Sequence, residues 1–317
     1  MQKIATREAY GRALVEMGET NPDIVVLDAD LAKSTKTIDF GKKFPERFFD
    51  MGIAEQNMIG TAAGLALAGK IPFASTFAVF ATGRAFEQIR NTVAYPKLNV
   101  KIAATHAGIT VGEDGASHQS VEDVAIMRSL PNMTVIVPAD ATETVQAIHA
   151  AASYHGPVYI RLGRSGVPVL FGEDYGFTIG RAYTLREGDH AAVFACGIMV
   201  SEALEAARVL AGGGLEVTVV NVPTLKPLDV KTVVEYARRT GAVVTAEEHS
   251  VIGGLGSAVA EVLGEHYPVP IERVGIKDTF GESGSPAQLL EKYGLTARDI
   301  TGAVERVVLR KKTIRNV

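Results

Sequence analysis

The sequence predicts an α/β protein of two domains, each a mostly parallel sheet covered by helices. Two observations carry this expectation. Short apolar runs, among them Ile24-Val25-Val26-Leu27 and Ala191-Ala192-Val193-Phe194-Ala195, alternate with longer helical stretches along the chain. Such alternation marks parallel strands buried on both faces and joined by crossover helices. The rhythm breaks at Gly163-Arg164-Ser165-Gly166-Val167-Pro168 and on through Gly172-Glu173-Asp174-Tyr175-Gly176, where Gly and Pro mark a linker. At 317 residues, 47% hydrophobic and 21% charged, the chain is long enough for two cores.

The elements follow in order. Thr6 is placed to cap a helix reaching about Glu19, and 24–27 follows as a buried strand. A helix over 54–68 comes next, then strands over 72–76, 100–105, 135–137 and 158–161, with helices over 84–94, 121–129 and 141–153 between them. Beyond the linker a second alternation reads strand 191–195, helix 201–210, strand 217–220, helix 230–239 and strand 242–246. It closes with a helix over 254–263, strand 271–274, and helices over 286–292 and 297–309. The basic run Arg310-Lys311-Lys312 suits a helix C-terminus, where cations meet the dipole.

Composition narrows the function classes. A net charge of -4 favours neither nucleic acid nor an anionic membrane surface. No apolar run reaches the roughly 18 residues of a membrane span, and the first residues lack the apolar core of a signal peptide. The single Cys196, inside an apolar strand, reads as a core residue and fits a reducing, cytoplasmic compartment.

Three segments carry chemistry. Between Met51 and Gly69, Glu55 is the only ionisable residue. It reads either as a cap for free helix N–H groups or as a buried acid able to hold a proton near neutral pH. Residues 105–120 follow a strand and gather His106, His118, Glu113 and Asp114 with three glycines, in a chain with only seven His. A long polar loop at a strand's C-terminal end is where α/β sheets place ligands; its His spacing matches no compact metal motif. Phe77 and Phe80, three apart, form either core aromatics or a platform for a flat heteroaromatic ligand. The segment Glu247-Glu248-His249-Ser250 ahead of Gly253-Gly254 reads as a strand-to-helix turn, with His249 structural or interfacial.

Together these segments resemble the C-terminal half of transketolase, a thiamine-diphosphate enzyme. Gly52-Ile53-Ala54-Glu55-Gln56-Asn57-Met58 resembles the family's glutamate motif, and Gly112-Glu113-Asp114-Gly115-Ala116-Ser117-His118-Gln119 its substrate loop. Arg128-Ser129-Leu130-Pro131-Asn132-Met133 and Pro138-Ala139-Asp140 are similar to the segments that follow. The resemblance spans essentially the whole chain. It implies a pyrimidine-binding domain over 1–165, a linker over 166–185 and a transketolase C-terminal domain over 186–317.

The resemblance also implies roles. Glu55 matches the glutamate that bonds N1′ of the cofactor's aminopyrimidine, and Phe77 and Phe80 match the aromatic pocket around that ring. The next pocket position falls on Gly83, so that wall differs here. Asp30 matches a cofactor-side aspartate. Asp114 matches the reader of a ketose hydroxyl, His118 the contact to the donor's hydroxyl-carbonyl end, and Arg7, Ser34, His106 and Arg164 the sugar-phosphate ligands. Glu55, His118 and His106 are thus the expected catalytic residues, in a two-carbon ketol transfer between sugar phosphates of the pentose phosphate type.

The family holds the cofactor's diphosphate and its divalent metal with a Gly-Asp-Gly motif that these 317 residues lack; Gly188-Asp189-His190 is the nearest fragment. No metal ligand is therefore expected on this chain. The expectation is a split enzyme: an N-terminal transketolase subunit supplies the diphosphate site with Mg²⁺ or Ca²⁺, in a dimer of heterodimers. Other readings are the β subunit of a 2-oxoacid dehydrogenase E1, which has no need of the Gly-Glu-Asp-Gly loop, and a non-catalytic scaffold homologue. The C-terminal half of deoxyxylulose-phosphate synthase shares the glutamate motif but carries Arg where His106 stands.

Overall fold

The computed structural model describes residues 2–315. Eight strands belong to the first half: β1 (Lys3–Ala5), β2 (Ile24–Asp28), β3 (Phe48–Asp50), β4 (Ile71–Phe77), β5 (Lys101–Thr105), β6 (Thr134–Ile136), β7 (Val158–Arg161) and β8 (Gly166–Pro168). Six more follow: β9 (Tyr183–Arg186), β10 (Ala191–Ala195), β11 (Val217–Asn221), β12 (Thr224–Lys226), β13 (Val243–Ser250) and β14 (Ile271–Ile276). The larger sheet has the order β12-β6-β7-β5-β4-β2-β3 and the smaller β14-β13-β10-β11-β9. Both are parallel apart from β12 and β9 at their edges, so the α/β architecture with mostly parallel sheets is what forms.

Burial explains the parallel arrangement. Strands β2, β5, β10 and β11 are buried at every position, as sheets covered by helices on both faces require. One core cluster runs from Leu27 and Met58 in the first half to Phe194 and Leu255 in the second, so the two halves share apolar packing. Strand β12 adds a covalently distant edge: it leaves the smaller sheet's sequence and pairs antiparallel with β6.

Several expectations need correcting. Thr6 is the first helical residue of Thr6–Thr20, not its cap; its hydroxyl instead accepts the Gly163 N–H at 2.7 Å, because β1 and β8 bring the linker back to this helix. The helix expected over 84–94 begins at Ala78 and runs Ala78–Arg84 and Phe86–Gln88 into a π-helical turn, Ile89–Ala94. The helix expected from 121 starts at Asp123, since Ser120 is held in a bridge to Ala107. Glu247, Glu248 and His249 do not form a turn. They extend β13, where their side chains are taken up by other elements: Glu247 accepts the Leu255 and Gly256 N–H groups of the next helix, and Glu248 that of Thr110. Cys196 is buried, and burial pushes its thiol up.

Candidate active site

The polar segments converge at the C-terminal ends of β2, β4 and β5, the edge where open α/β sheets place ligands. Phe77 ends β4 and His106 follows β5. Gln119 braces the 105–120 loop, its amide donating to the carbonyls of Ile109, Gly112 and Glu282. Gly108 has φ +79°, and a Cβ there would lie 2.3 Å from the Glu248 carboxylate that accepts the Thr110 N–H. Only glycine fits both demands.

One half of the site is cationic. Arg7 Nη1 donates to the Ser34 carbonyl at 2.9 Å and lies 3.2 Å from His106 Nε2. That contact makes Nε2 an acceptor and assigns the imidazole proton to Nδ1, which donates to Thr105 Oγ1 at 2.9 Å. Burial, then the charges of Arg7 and Arg164, lower His106 to about 3, so it is neutral. Arg7 itself is lowered by burial and by Arg164, and its buried Nε has no partner. Arg164 donates to the Val111 carbonyl and stands 3.5 Å from Glu113 and 3.7 Å from Asp114. Ser34 lies in the short helix Ala32–Thr35, held on Asp28, whose carboxylate accepts from Leu31 N–H and from the Thr35 and Thr37 hydroxyls.

The other half is aromatic and acidic. Phe77 stacks on His106 with centroids 3.7 Å apart, and on Phe80 at 5.7 Å and 12°. His118 meets both phenyl rings edge-on, at 6.3 and 5.5 Å. Glu55 opens the helix Glu55–Leu67 and is 4% exposed. The carboxylate expected to lack a counter-charge has one: Arg84 Nη1 donates to its Oε1 at 2.8 Å while the guanidinium lies 4.1 Å over the Phe80 ring. Sequence reasoning missed Arg84 because it stands 29 residues from Glu55; the early start of the Ala78–Arg84 helix is the signal that would have found it.

Arg7, Ser34, His106 and Arg164 thus form one group, with Asp114 exposed at its rim, and Glu55, Phe77, Phe80 and His118 a second, joined by the Phe77–His106 stack. Asp30 stands apart: it is exposed, with φ +61°, and its N–H bonds Asp50. Its buried neighbour Asp28 is the residue that organises this loop. No group of His, Cys, Asp and Glu among the described residues is arranged to hold a metal ion, and no helix there is long and apolar enough to cross a membrane.

Comparison with known proteins identifies both halves of the chain. The family described as "Transketolase, pyrimidine binding domain" matches residues 2–169, and "Transketolase, C-terminal domain" matches 180–300. The chain is 48% identical to a 6-deoxy-6-sulfo-D-fructose transketolase subunit of Clostridium sp. (strain MSTE9), over 96% of this chain and 95% of that one. A solved chain described as "Split gene transketolase, inactive beta4 tetramer" is 65% identical with TM-score 0.92, covering 97% of this chain and 99% of the other. Transketolase from Leishmania mexicana superposes with TM-score 0.82 at 29% identity; 98% of this chain is covered but 46% of that one, so the chain spans about half of that enzyme.

Proposed function

This chain belongs to the transketolase family, and on that premise we propose that it is the C-terminal subunit of a split transketolase. It transfers a two-carbon ketol unit from a ketose phosphate to an aldose phosphate. The observation that carries this reading is the Phe77–His106 stack, which joins a carboxylate-and-aromatic half to a cationic half in one site. The first half suits a flat nitrogen heterocycle, the second a phosphate ester.

Thiamine diphosphate, on which the family depends, supplies when bound the carbon nucleophile that carries the two-carbon unit. The residues present fit it: a buried carboxylate beside stacked phenyl rings offers a ring nitrogen both a platform and a proton partner. Glu55 holds or returns a proton at that nitrogen. Phe77 and Phe80 orient the ring, and Asp30 is assigned to the cofactor side. His118, half-buried beside both rings, contacts the donor's hydroxyl-carbonyl end. His106, neutral, holds Arg7 at the sugar end by accepting from its Nη1 with the Nε2 lone pair. Arg7 offers its unpartnered Nε–H to phosphate together with Arg164 and Ser34. Asp114, exposed at the rim, accepts from a sugar hydroxyl once it leaves Arg164.

The same reading divides the chain into a pyrimidine-binding domain over 1–165, a linker over 166–185 and a C-terminal domain over 186–317, supported by the family matches at 2–169 and 180–300. A second chain bears the diphosphate and its Mg²⁺ or Ca²⁺, in a dimer of heterodimers. A 65%-identical split-gene chain described as an inactive β4 tetramer supports that dependence. A relative described as a 6-deoxy-6-sulfo-D-fructose transketolase subunit makes a sulfonated ketose the second donor to assay beside a ketose phosphate.

The test is reconstitution. The purified chain with thiamine diphosphate and Mg²⁺ is expected to be inactive, and to transfer ketol units only after addition of a chain carrying the Gly-Asp-Gly half. Full activity without that chain refutes the split reading. Glu55→Gln is expected to lower turnover about 10²-fold or more in the assembled enzyme while assembly persists; unchanged turnover removes Glu55 from the chemistry.

A further inference from the structure

Two contacts that the proposed function assigns to an aminopyrimidine ring are already made by a side chain. Glu55 accepts a hydrogen bond from Arg84 Nη1 at 2.8 Å, and the Phe80 face carries the Arg84 guanidinium at 4.1 Å. A guanidinium is flat, bears N–H donors in its plane and stacks on aromatic rings. These are the properties by which a protonated or amino-substituted pyrimidine would engage the same carboxylate and the same phenyl ring.

The local build suits a movable group. Gly83, the residue before Arg84, has open space where a side chain would stand. The Arg84 main chain is fixed, its carbonyl accepting from Gln56 Nε2 at 3.0 Å on the Glu55 helix. Its side chain is not: it is 49% exposed, against 4% for Glu55. The carboxylate therefore stays put while its partner has solvent to swing into.

Geometry makes the two occupants exclusive: each needs the Glu55 carboxylate edge and the Phe80 face that the Arg84 guanidinium holds. We propose that Arg84 is a displaceable stand-in for the aminopyrimidine: it neutralises Glu55 and covers Phe80 in the cofactor-free chain, and must leave both for the ring to enter. Thiamine diphosphate then binds against the free energy of the Arg84–Glu55 contact. The inference rests on the thiamine reading above and adds a competitor within the site.

The experiment is a titration of the reconstituted complex with thiamine diphosphate at fixed Mg²⁺, followed by near-UV circular dichroism. Arg84→Met keeps the length of the side chain but removes its charge and donors; it is expected to tighten cofactor binding about tenfold, the scale of one charge-assisted hydrogen bond. Arg84→Lys keeps the charge and is expected to stay nearer wild type. Unchanged or weaker binding by Arg84→Met overturns the proposal, weaker binding meaning that Arg84 helps to hold the ring. A crystal structure of the wild-type complex with cofactor bound supplies a readout independent of variant folding: Arg84 is expected off Glu55, and finding it still bonded there overturns the proposal. Should the wild-type complex bind no thiamine diphosphate at all, the thiamine reading itself falls and this inference with it.

Discussion

Arg7, on the helix Thr6–Thr20, and Arg161, at the end of β7, meet opposite fates. Arg161 ends β7 and is buried against Asp123, with Nε and Nη2 reaching its two carboxylate oxygens at 2.8 and 3.2 Å. Nη2 also donates to the carbonyls of Ser120 and Glu248, tying the first sheet to β13 of the second. Asp123 is held below its usual range: burial alone would raise it, and Arg161 reverses that. Arg7 has no carboxylate partner of this kind. It meets a carbonyl and a neutral imidazole, a second arginine lowers it further, and its Nε is buried unpaired. A buried cation with its counter-charge welds the fold; a half-buried one without a carboxylate keeps a donor for an anion from outside.

The comparison can be broken most severely at the weld. Asp123→Ala leaves Arg161 buried without its carboxylate and is expected to cost about 3–5 kcal/mol of unfolding free energy in a denaturant titration. Arg7→Ala is expected to change stability by less than about 1 kcal/mol. It should raise KM for a phosphorylated ketose about 10- to 100-fold, the worth of one charge-assisted contact, while leaving a non-phosphorylated analogue unaffected. If the two variants lose equal stability, Arg7 is a structural residue and the contrast collapses.

Acid separates the same two regions. His106 is lowered from 6.5 to about 3, so the unfolded chain binds the extra proton first. The stability carried by its neutral form is whole above about pH 6.5 and is lost as pH falls toward 3, at most about 2 kcal/mol of it by pH 5. His249, lowered to about 4 by burial, acts with the same sign. Glu143 and Glu247, both raised by burial to about 7, act with the opposite sign between about pH 4.5 and 7. Comparing His106→Gln with wild type isolates the site: the variant's melting temperature is expected to fall less between pH 7 and pH 5. An identical acid slope in both would mean that His106 is not held neutral. The smallest effect is expected from Thr6→Val, which strips the Gly163 N–H of its acceptor and should cost about 1 kcal/mol by thermal melt.

Much of the fold was legible in the sequence because its signals are local. Fully buried strands such as β2 and β10 announce themselves as β-branched and apolar runs, and the Glu55–Leu67 helix falls within a residue of its expected bounds. The short strands β1, β3, β8 and β9 escaped because, unlike the equally short but fully buried β6 and β7, they are partly exposed and carry no continuous apolar run, and Pro223 and Pro227 around β12 mimic a loop. Glu247, Glu248 and His249 were misplaced for a different reason. Charged residues in sequence suggest exposure, whereas here the partners that permit burial come from other elements.

The sequence by itself determined the α/β class, the family and the chemical types gathered at the site, since residue identity and period are properties of neighbours along the chain. Only the tertiary structure decided what state those groups are in. That His106 is neutral beside Arg7, that Arg7 keeps an unpaired donor, and that Glu55 is already held by Arg84 follow from distances across 99 and 29 residues of chain. Burial and Coulomb interaction depend on separation in space, which no period along the chain records.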